Sequence, residues 1–132
     1  MKTARDYMSS PVCTLPRTAT VLEAARMLLE KRLTGVPVLD AKGHPEGVFT
    51  LRDLAKFFLD PMLDTPGTWP DAANASISGL MTHRVVTVRP EATVEEIRRA
   101  MKTNKVHRLV VGDGHGKLLG VVSASDLATR DV

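Results

Sequence analysis

The chain has 132 residues, 43% of them hydrophobic and 25% charged, and a formal net charge of +3. This suits one compact domain or two small halves sharing a core; no apolar run reaches the roughly 18 residues of a membrane span, and MKTARDYMSSP lacks the apolar block of a secretory signal, so a cytoplasmic protein with no membrane partner is expected. The mild positive charge is compatible with an anionic small ligand and too small to indicate nucleic acid, while the single cysteine, Cys13, excludes a disulfide framework and a multi-cysteine zinc site and reads as a small buried hydrophobe.

Displaced by 73 positions, the sequence aligns with itself without a gap from Met8/Met81 to Ala55/Ala128. Identical pairs include Thr14/Thr87, Thr20/Thr93, Glu23/Glu96, Gly47/Gly120 and Asp53/Asp126. The chain is therefore two copies of one unit, with residues 1–59 as the first repeat, 60–76 as a linker and 77–132 as the second.

In chain order, each copy opens on a Met-Ser/Thr turn and a short apolar strand, residues 12–15 or 85–88. A helix follows. Thr20 with Glu23 and Thr93 with Glu96 have capping-box spacing. Val21, Ala24, Ala25, Leu28 and Leu29 form an apolar stripe in one helix, as do Val94, Ile97, Ala100 and Met101 in the other. A second strand, 36–39 or 107–111, turns through the glycines of Asp40-Ala-Lys-Gly43 or Gly112-Asp-Gly-His-Gly116. A third strand, 47–50 or 118–123, leads into a helix starting near Leu51 or Ala124. The linker DPMLDTPGTWPDAANAS is rich in proline, with Trp69 as a loop anchor or partner contact. Leu54, Phe57 and Phe58, on the helix after Asp53, are either core or an oligomer contact.

The sharpest duplicated element is Gly47-Val-Phe-Thr50-Leu-Arg-Asp53 and Gly120-Val-Val-Ser123-Ala-Ser-Asp126. It sits where a strand runs into a helix. The hydroxyl can cap the first turn and the acid can favour the helix dipole. The same groups suit a ribose and a phosphate, since a carboxylate accepts from sugar hydroxyls and helix-start N–H groups face anions. The residues alone leave both readings open.

With the Met8-Ser9-Ser10-Pro11-Val12 and Met81-Thr82-His83-Arg84-Val85 openings and the 73-residue repeat, these elements resemble a tandem pair of CBS domains, also called a Bateman module. The likeness covers nearly the whole chain outside the linker. It implies an α/β fold of two repeats, β-α-β-β-α each, packed with pseudo-twofold symmetry. It also implies a non-enzymatic sensor that binds an adenosine-containing ligand in a cleft between the repeats and signals to an effector protein. AMP, ADP or ATP, or alternatively S-adenosylmethionine, would be a regulatory ligand rather than a required cofactor. A homodimer is the family's default, and a ligand-free dimerisation or protein-interaction module is the alternative. Carried onto this sequence, the ligand residues are Thr50 with Asp53 and Ser123 with Asp126, adjoined by Thr14, Thr87, Val106 and Ser125.

KVHRLVV, in the second repeat, is similar to the last repeat of the γ subunit of AMP-activated protein kinase, where a His-Arg pair meets phosphate. This implies that His107 and Arg108 face a phosphate. The first repeat has Thr34 and Gly35 instead, so unequal use of the two copies is expected. Arg98, Arg99, Lys102 and Lys105 form either a solvated helix face or a field drawing phosphate toward His107 and Arg108. Gly112-Asp-Gly-His-Gly116-Lys117 has the wrong spacing for a Walker loop and reads as a turn. Neither a histidine cluster with metal-ligand spacing nor a nucleophile-base pair stands out, so no catalysis is expected.

Overall fold

A computed structural model describes residues 2–9, 12–59 and 73–129. Trp69 and most of the expected linker lie outside those residues. The chain divides into two compact units. One comprises Cys13–Arg84; the other joins Met1–Val12 to Val85–Val132.

The Cys13–Arg84 unit contains β1 (Leu15–Pro16), α1 (Val21–Glu30), β2 (Gly35–Leu39), β3 (Pro45–Thr50), α2 (Leu51–Phe58) and a 3-10 turn at Ile77–Gly79. The strands form a sheet in the order β1-β2-β3, the first pair parallel and the second antiparallel, with Gly35 opposite Thr50. The capping spacing at Thr20 works as expected: its hydroxyl accepts from the Glu23 N–H at 3.1 Å and donates to the Glu23 carboxylate at 3.2 Å. Val21, Ala24 and Leu28 of the expected stripe are buried against Val36, Val38 and Phe49. Leu29 is a correction: it lies 80% exposed. The real stripe is therefore narrower than the periodicity suggests. Phe57 joins the core whereas Phe58 is about half exposed.

The other unit repeats the plan. Its elements are α3 (Ala4–Tyr7), β4 (Thr87–Val88), α4 (Val94–Asn104), β5 (Arg108–Gly112), β6 (Leu118–Ser123) and α5 (Ala124–Thr129). The sheet order is β4-β5-β6, and the core contains Ile97, Met101, Leu109, Val111 and Val122. Both hairpin turns are pinned alike: the Asp40 carboxylate accepts from the N–H groups of Lys42 and His44, and that of Asp113 from those of His115 and Lys117. Gly43 and Gly116 hold the positive φ expected of them, at 82° and 92°. The first strand of each copy is shorter and later than expected, at Leu15–Pro16 and Thr87–Val88. Pro16 has no N–H for a longer ladder. Cys13 is half-buried rather than part of a strand core.

The segment before each first strand docks where sequence proximity gives no hint. Thr3 to Ser9 packs in the unit built from the second repeat: the Ala4 N–H donates to the Ala92 carbonyl at 2.8 Å and the Ser9 N–H to that of Val121 at 2.9 Å. Ser76 to Thr82 does the same for the first repeat. The Ile77 N–H donates to the Ala19 carbonyl at 3.0 Å, and Thr82 exchanges both backbone bonds with Val48. The short helix α3 was not anticipated, although Thr3 and Asp6 have capping-box spacing and form one.

This docking explains the duplicated glycines. A Cβ on Gly47 would lie 2.6 Å from the Thr82 carbonyl oxygen and 3.0 Å from Met81 Sδ. On Gly120 it would lie 2.6 Å from Met8 Sδ and 2.8 Å from the Ser9 carbonyl oxygen. The glycines and the Met-Ser/Thr openings thus form one contact, made once in each unit.

Candidate functional site

Both Gly-x-x-Thr/Ser-x-x-Asp elements sit at a strand-to-helix junction, where the first N–H groups of the helix have no partner within the helix. In each unit the first helical N–H is taken by the carbonyl of the residue ahead of the central strand. Leu51 donates to Thr34, and Ala124 to His107, at 2.9 and 2.8 Å. His107 was expected to begin the strand. It stands just outside it, because its carbonyl serves α5 while Arg108 opens the ladder opposite Ser123.

The two carboxylates are used differently. Asp53 is 7% exposed and makes a complete capping box. Its Oδ2 accepts from the Thr50 N–H at 2.9 Å and the Thr50 hydroxyl at 3.0 Å, while the Asp53 N–H donates to Thr50 Oγ1 at 3.1 Å. Its Oδ1 accepts from the Thr82 hydroxyl at 3.1 Å. Sequence reasoning missed Thr82; the signal was the duplicated Met-Ser/Thr opening. Asp126 is half-buried, and its Oδ2 accepts from the Ser123 N–H at 2.9 Å. The Asp126 N–H donates to Ser123 Oγ at 3.0 Å. Ser9 occupies the place of Thr82, and among the described residues Asp126 Oδ1 accepts no hydrogen bond.

The candidates expected from sequence separate into groups. Val106 and His107 line an open cleft of about 540 Å³ with Arg98, Lys102, Lys105, Met101, Ala124, Leu127 and Ala128. Ser123, Asp126 and Arg108 are not among its lining residues; Arg108, half-buried, follows His107 into the sheet opposite Ser123. Ser125 is exposed in the first turn of α5, where its carbonyl accepts from the Thr129 hydroxyl at 2.7 Å. Thr87 lies elsewhere, lining a second cleft of about 680 Å³ with Arg89, Glu91, Glu96 and Gly112. Thr14 is half-buried just ahead of β1, while Thr50 and Asp53 form the other unit's junction. No group of three or more potential metal ligands occurs among the described residues. No helix among them is long and apolar enough to cross a membrane.

The family model for the CBS domain matches residues 4–60 and again 77–132. The chain belongs to the CBS domain family. Its α/β fold of two three-stranded sheets is that of a tandem CBS pair. CBS domain-containing protein YhcV of Bacillus subtilis is 26% identical over 132 residues, covering 100% of this chain and 87% of the relative. Inosine-5'-monophosphate dehydrogenase of Korarchaeum cryptofilum is 30% identical over 133 residues, 99% of this chain but 25% of the relative. This chain likewise spans about a quarter of several other curated relatives, homoserine O-acetyltransferases among them. Among solved structures, CBSX2 in complex with AMP superposes with a TM-score of 0.78 at 25% identity, over 97% of this chain and 94% of that one.

Proposed function

We propose that this CBS pair is a non-enzymatic regulatory module that binds an adenosine-containing ligand, AMP, ADP or ATP foremost, and passes its occupancy to an effector protein. The observation that carries this reading is the difference between the two junctions. Asp53 has both carboxylate oxygens engaged by Thr50 and Thr82. Asp126, bonded to Ser123 opposite Arg108 in the ladder, keeps Oδ1 available for sugar hydroxyls. A related CBS pair carries AMP, which supports the ligand class. A ligand can bias the module only if it binds one arrangement of the chain better than another. A homodimer and a cytoplasmic setting belong to the same proposal. The closed network at Asp53 favours a second reading for that copy, in which the element only caps its helix.

Isothermal calorimetry with AMP, ADP, ATP, NADH and S-adenosylmethionine tests the proposal. Asp126→Asn should weaken the ligand roughly tenfold or more, since hydrogen bonds to a charged group contribute about 1.5–3 kcal/mol. Asp53→Asn should instead lower stability and leave affinity nearly unchanged. No heat and no melting shift with any adenosyl ligand would remove the ligand-binding reading and leave a ligand-free interaction module.

A further inference from the structure

Among the described residues, the large hydrophobic side chains that stand exposed are Leu22, Leu29, Leu51, Phe58 and Leu59, and all five lie on α1 and α2 or at the C-cap of α2. Leu29 and Leu59 are about four-fifths exposed and the other three nearly half. The two helices pack side by side. Leu22, Ala25 and Leu29 follow one another at steps of three and four, and Leu51, Ala55 and Phe58 at steps of four and three, so each helix carries a large-small-large stripe on one face. These are not the core-facing stripes, which belong to Val21, Ala24 and Leu28 on α1 and to Phe57 on α2. In the second unit the counterparts of Ala25, Leu29, Leu51 and Ala55 are Arg98, Lys102, Ala124 and Ala128, which line one cleft, so the two stripes of the first repeat border one face. Displaced by 73 positions, Leu22, Leu29 and Phe58 become Glu95, Lys102 and Asp131. Both copies have the same fold, so the fold itself does not need these exposed apolar groups.

From this we infer that a second copy of the chain docks on this face by an isologous contact, first repeat against first repeat, and that the corresponding helix face of the second repeat takes no part. This rests on the homodimer proposed above and gives it a face and a symmetry. A side chain of this size presents about 150–200 Å² in full, so the five together offer on the order of 500 Å², well over half of the roughly 800 Å² that each partner gives to a stable interface. Ala25, Ala55 and the aliphatic stems of the flanking Arg26 and Lys56 add to it. A twofold contact must be self-complementary. Here an apolar stripe meets its own copy, and its leucines can enter the gaps over Ala25 and Ala55 as ridges enter grooves between packed helices. Pairing the first repeat with the second would bury Arg98 and Lys102 against leucines, and the nearby Glu95 carboxylate is already engaged by Arg99 at 3.5 Å. Pairing the second with the second would set Arg98, Lys102 and Lys105 against the same cations. Only the first pairing removes apolar surface from water without stranding a charge.

Sedimentation equilibrium of the intact chain at roughly 1 to 100 µM, without ligand, compares wild type with two double variants. Leu22→Glu/Leu29→Lys installs the second repeat's side chains on α1, and Arg98→Glu/Lys102→Glu reverses the charge of the corresponding face in the second repeat. All four positions are exposed, so thermal unfolding should show both variants folded. Leu29→Gln, a milder change at the more exposed leucine, serves if the first variant unfolds. The expected result is a wild-type dimer whose dissociation constant rises about tenfold or more in Leu22→Glu/Leu29→Lys and changes less than about twofold in Arg98→Glu/Lys102→Glu. A dimer that survives the first variant overturns the inference and leaves the homodimer intact. Equal weakening by both variants means that the first repeat meets the second, which also overturns it. A wild type that stays monomeric over the whole range removes the homodimer itself, and the isologous contact with it, and points to a different occupant of the face. The ligand titrations above decide the adenosyl reading independently of all three outcomes.

Discussion

Gly47→Ala probes the contact that ties the opening of the second repeat to the first repeat's sheet. The added Cβ would sit 2.6 Å from the Thr82 carbonyl oxygen. Carbon and oxygen ordinarily meet at about 3.3 Å or more, so the strands must separate by roughly 0.7 Å. They are held by the Val48 N–H to Thr82 carbonyl bond at 2.9 Å and the reverse bond at 3.0 Å. Side-chain relief is restricted too, because Met81, the other close neighbour, is only 5% exposed. Overpacking of this kind costs about 1–3 kcal/mol, and weakening two backbone bonds adds up to about 1 kcal/mol each. A loss of about 2–4 kcal/mol in urea unfolding, followed by circular dichroism, is expected. Gly120→Ala should lose somewhat less, because one of its close neighbours is the flexible end of Met8, although the Ser9 carbonyl at 2.8 Å is not. Gly79→Ala is the control, since nothing lies within 4 Å of the Cβ it would add. A Gly47→Ala loss below about 0.5 kcal/mol, or one equal to that of Gly79→Ala, would refute the reasoning.

Arg32 ends the turn after α1 with φ 55°, and Arg32→Gly should raise stability by up to about 1 kcal/mol, because glycine adopts the left-handed region without the Cβ penalty; a lower unfolding midpoint would contradict this. The His44 N–H holds the Asp40 carboxyl below the ordinary aspartate value of 3.8, aided by the Lys42 N–H, and the N–H groups of His115 and Lys117 do the same to Asp113. Both folded-state values are depressed, so the stabilisation is present above the ordinary value and is lost as pH falls below it through the folded value. Asp40→Asn/Asp113→Asn keeps a turn acceptor but removes the titration, and its urea midpoints should fall less steeply than those of wild type on acidification below about pH 4. Parallel profiles would refute the assignment.

The 73-residue repeat made the element order readable, because each weak local signal occurs twice in register. Thr20 and Thr93 cap as their spacing suggests, and both hairpins turn at their glycines. What the repeat conceals is which copy each opening joins. Met8-Ser9 and Met81-Thr82 are similar, so either could pair locally with either strand; only packing shows that Ser9 bonds to Val121 and Thr82 to Val48. The same concealment covers the candidate site. Asp53 and Asp126 lie in the same Gly-Val-x-Thr/Ser-x-x-Asp-Leu element, with a hydroxyl residue, Thr50 or Ser123, three positions before each acid. Their capacities diverge because the docked opening presents Thr82 to Asp53, whereas Ser9 makes no such bond to Asp126. Thr82 and Ser9 themselves differ by one methyl group. Threonine's β-branch restricts its side-chain rotamers, while serine's hydroxyl is freer to turn away. Ser9→Thr therefore tests whether the opening sets the carboxylate's capacity: if a threonine there engages Asp126 Oδ1, the second copy should come to behave like the first, gaining stability and losing affinity for sugar hydroxyls together. A gain in stability with ligand affinity unchanged would separate the two and show that Asp126 does not read the ribose.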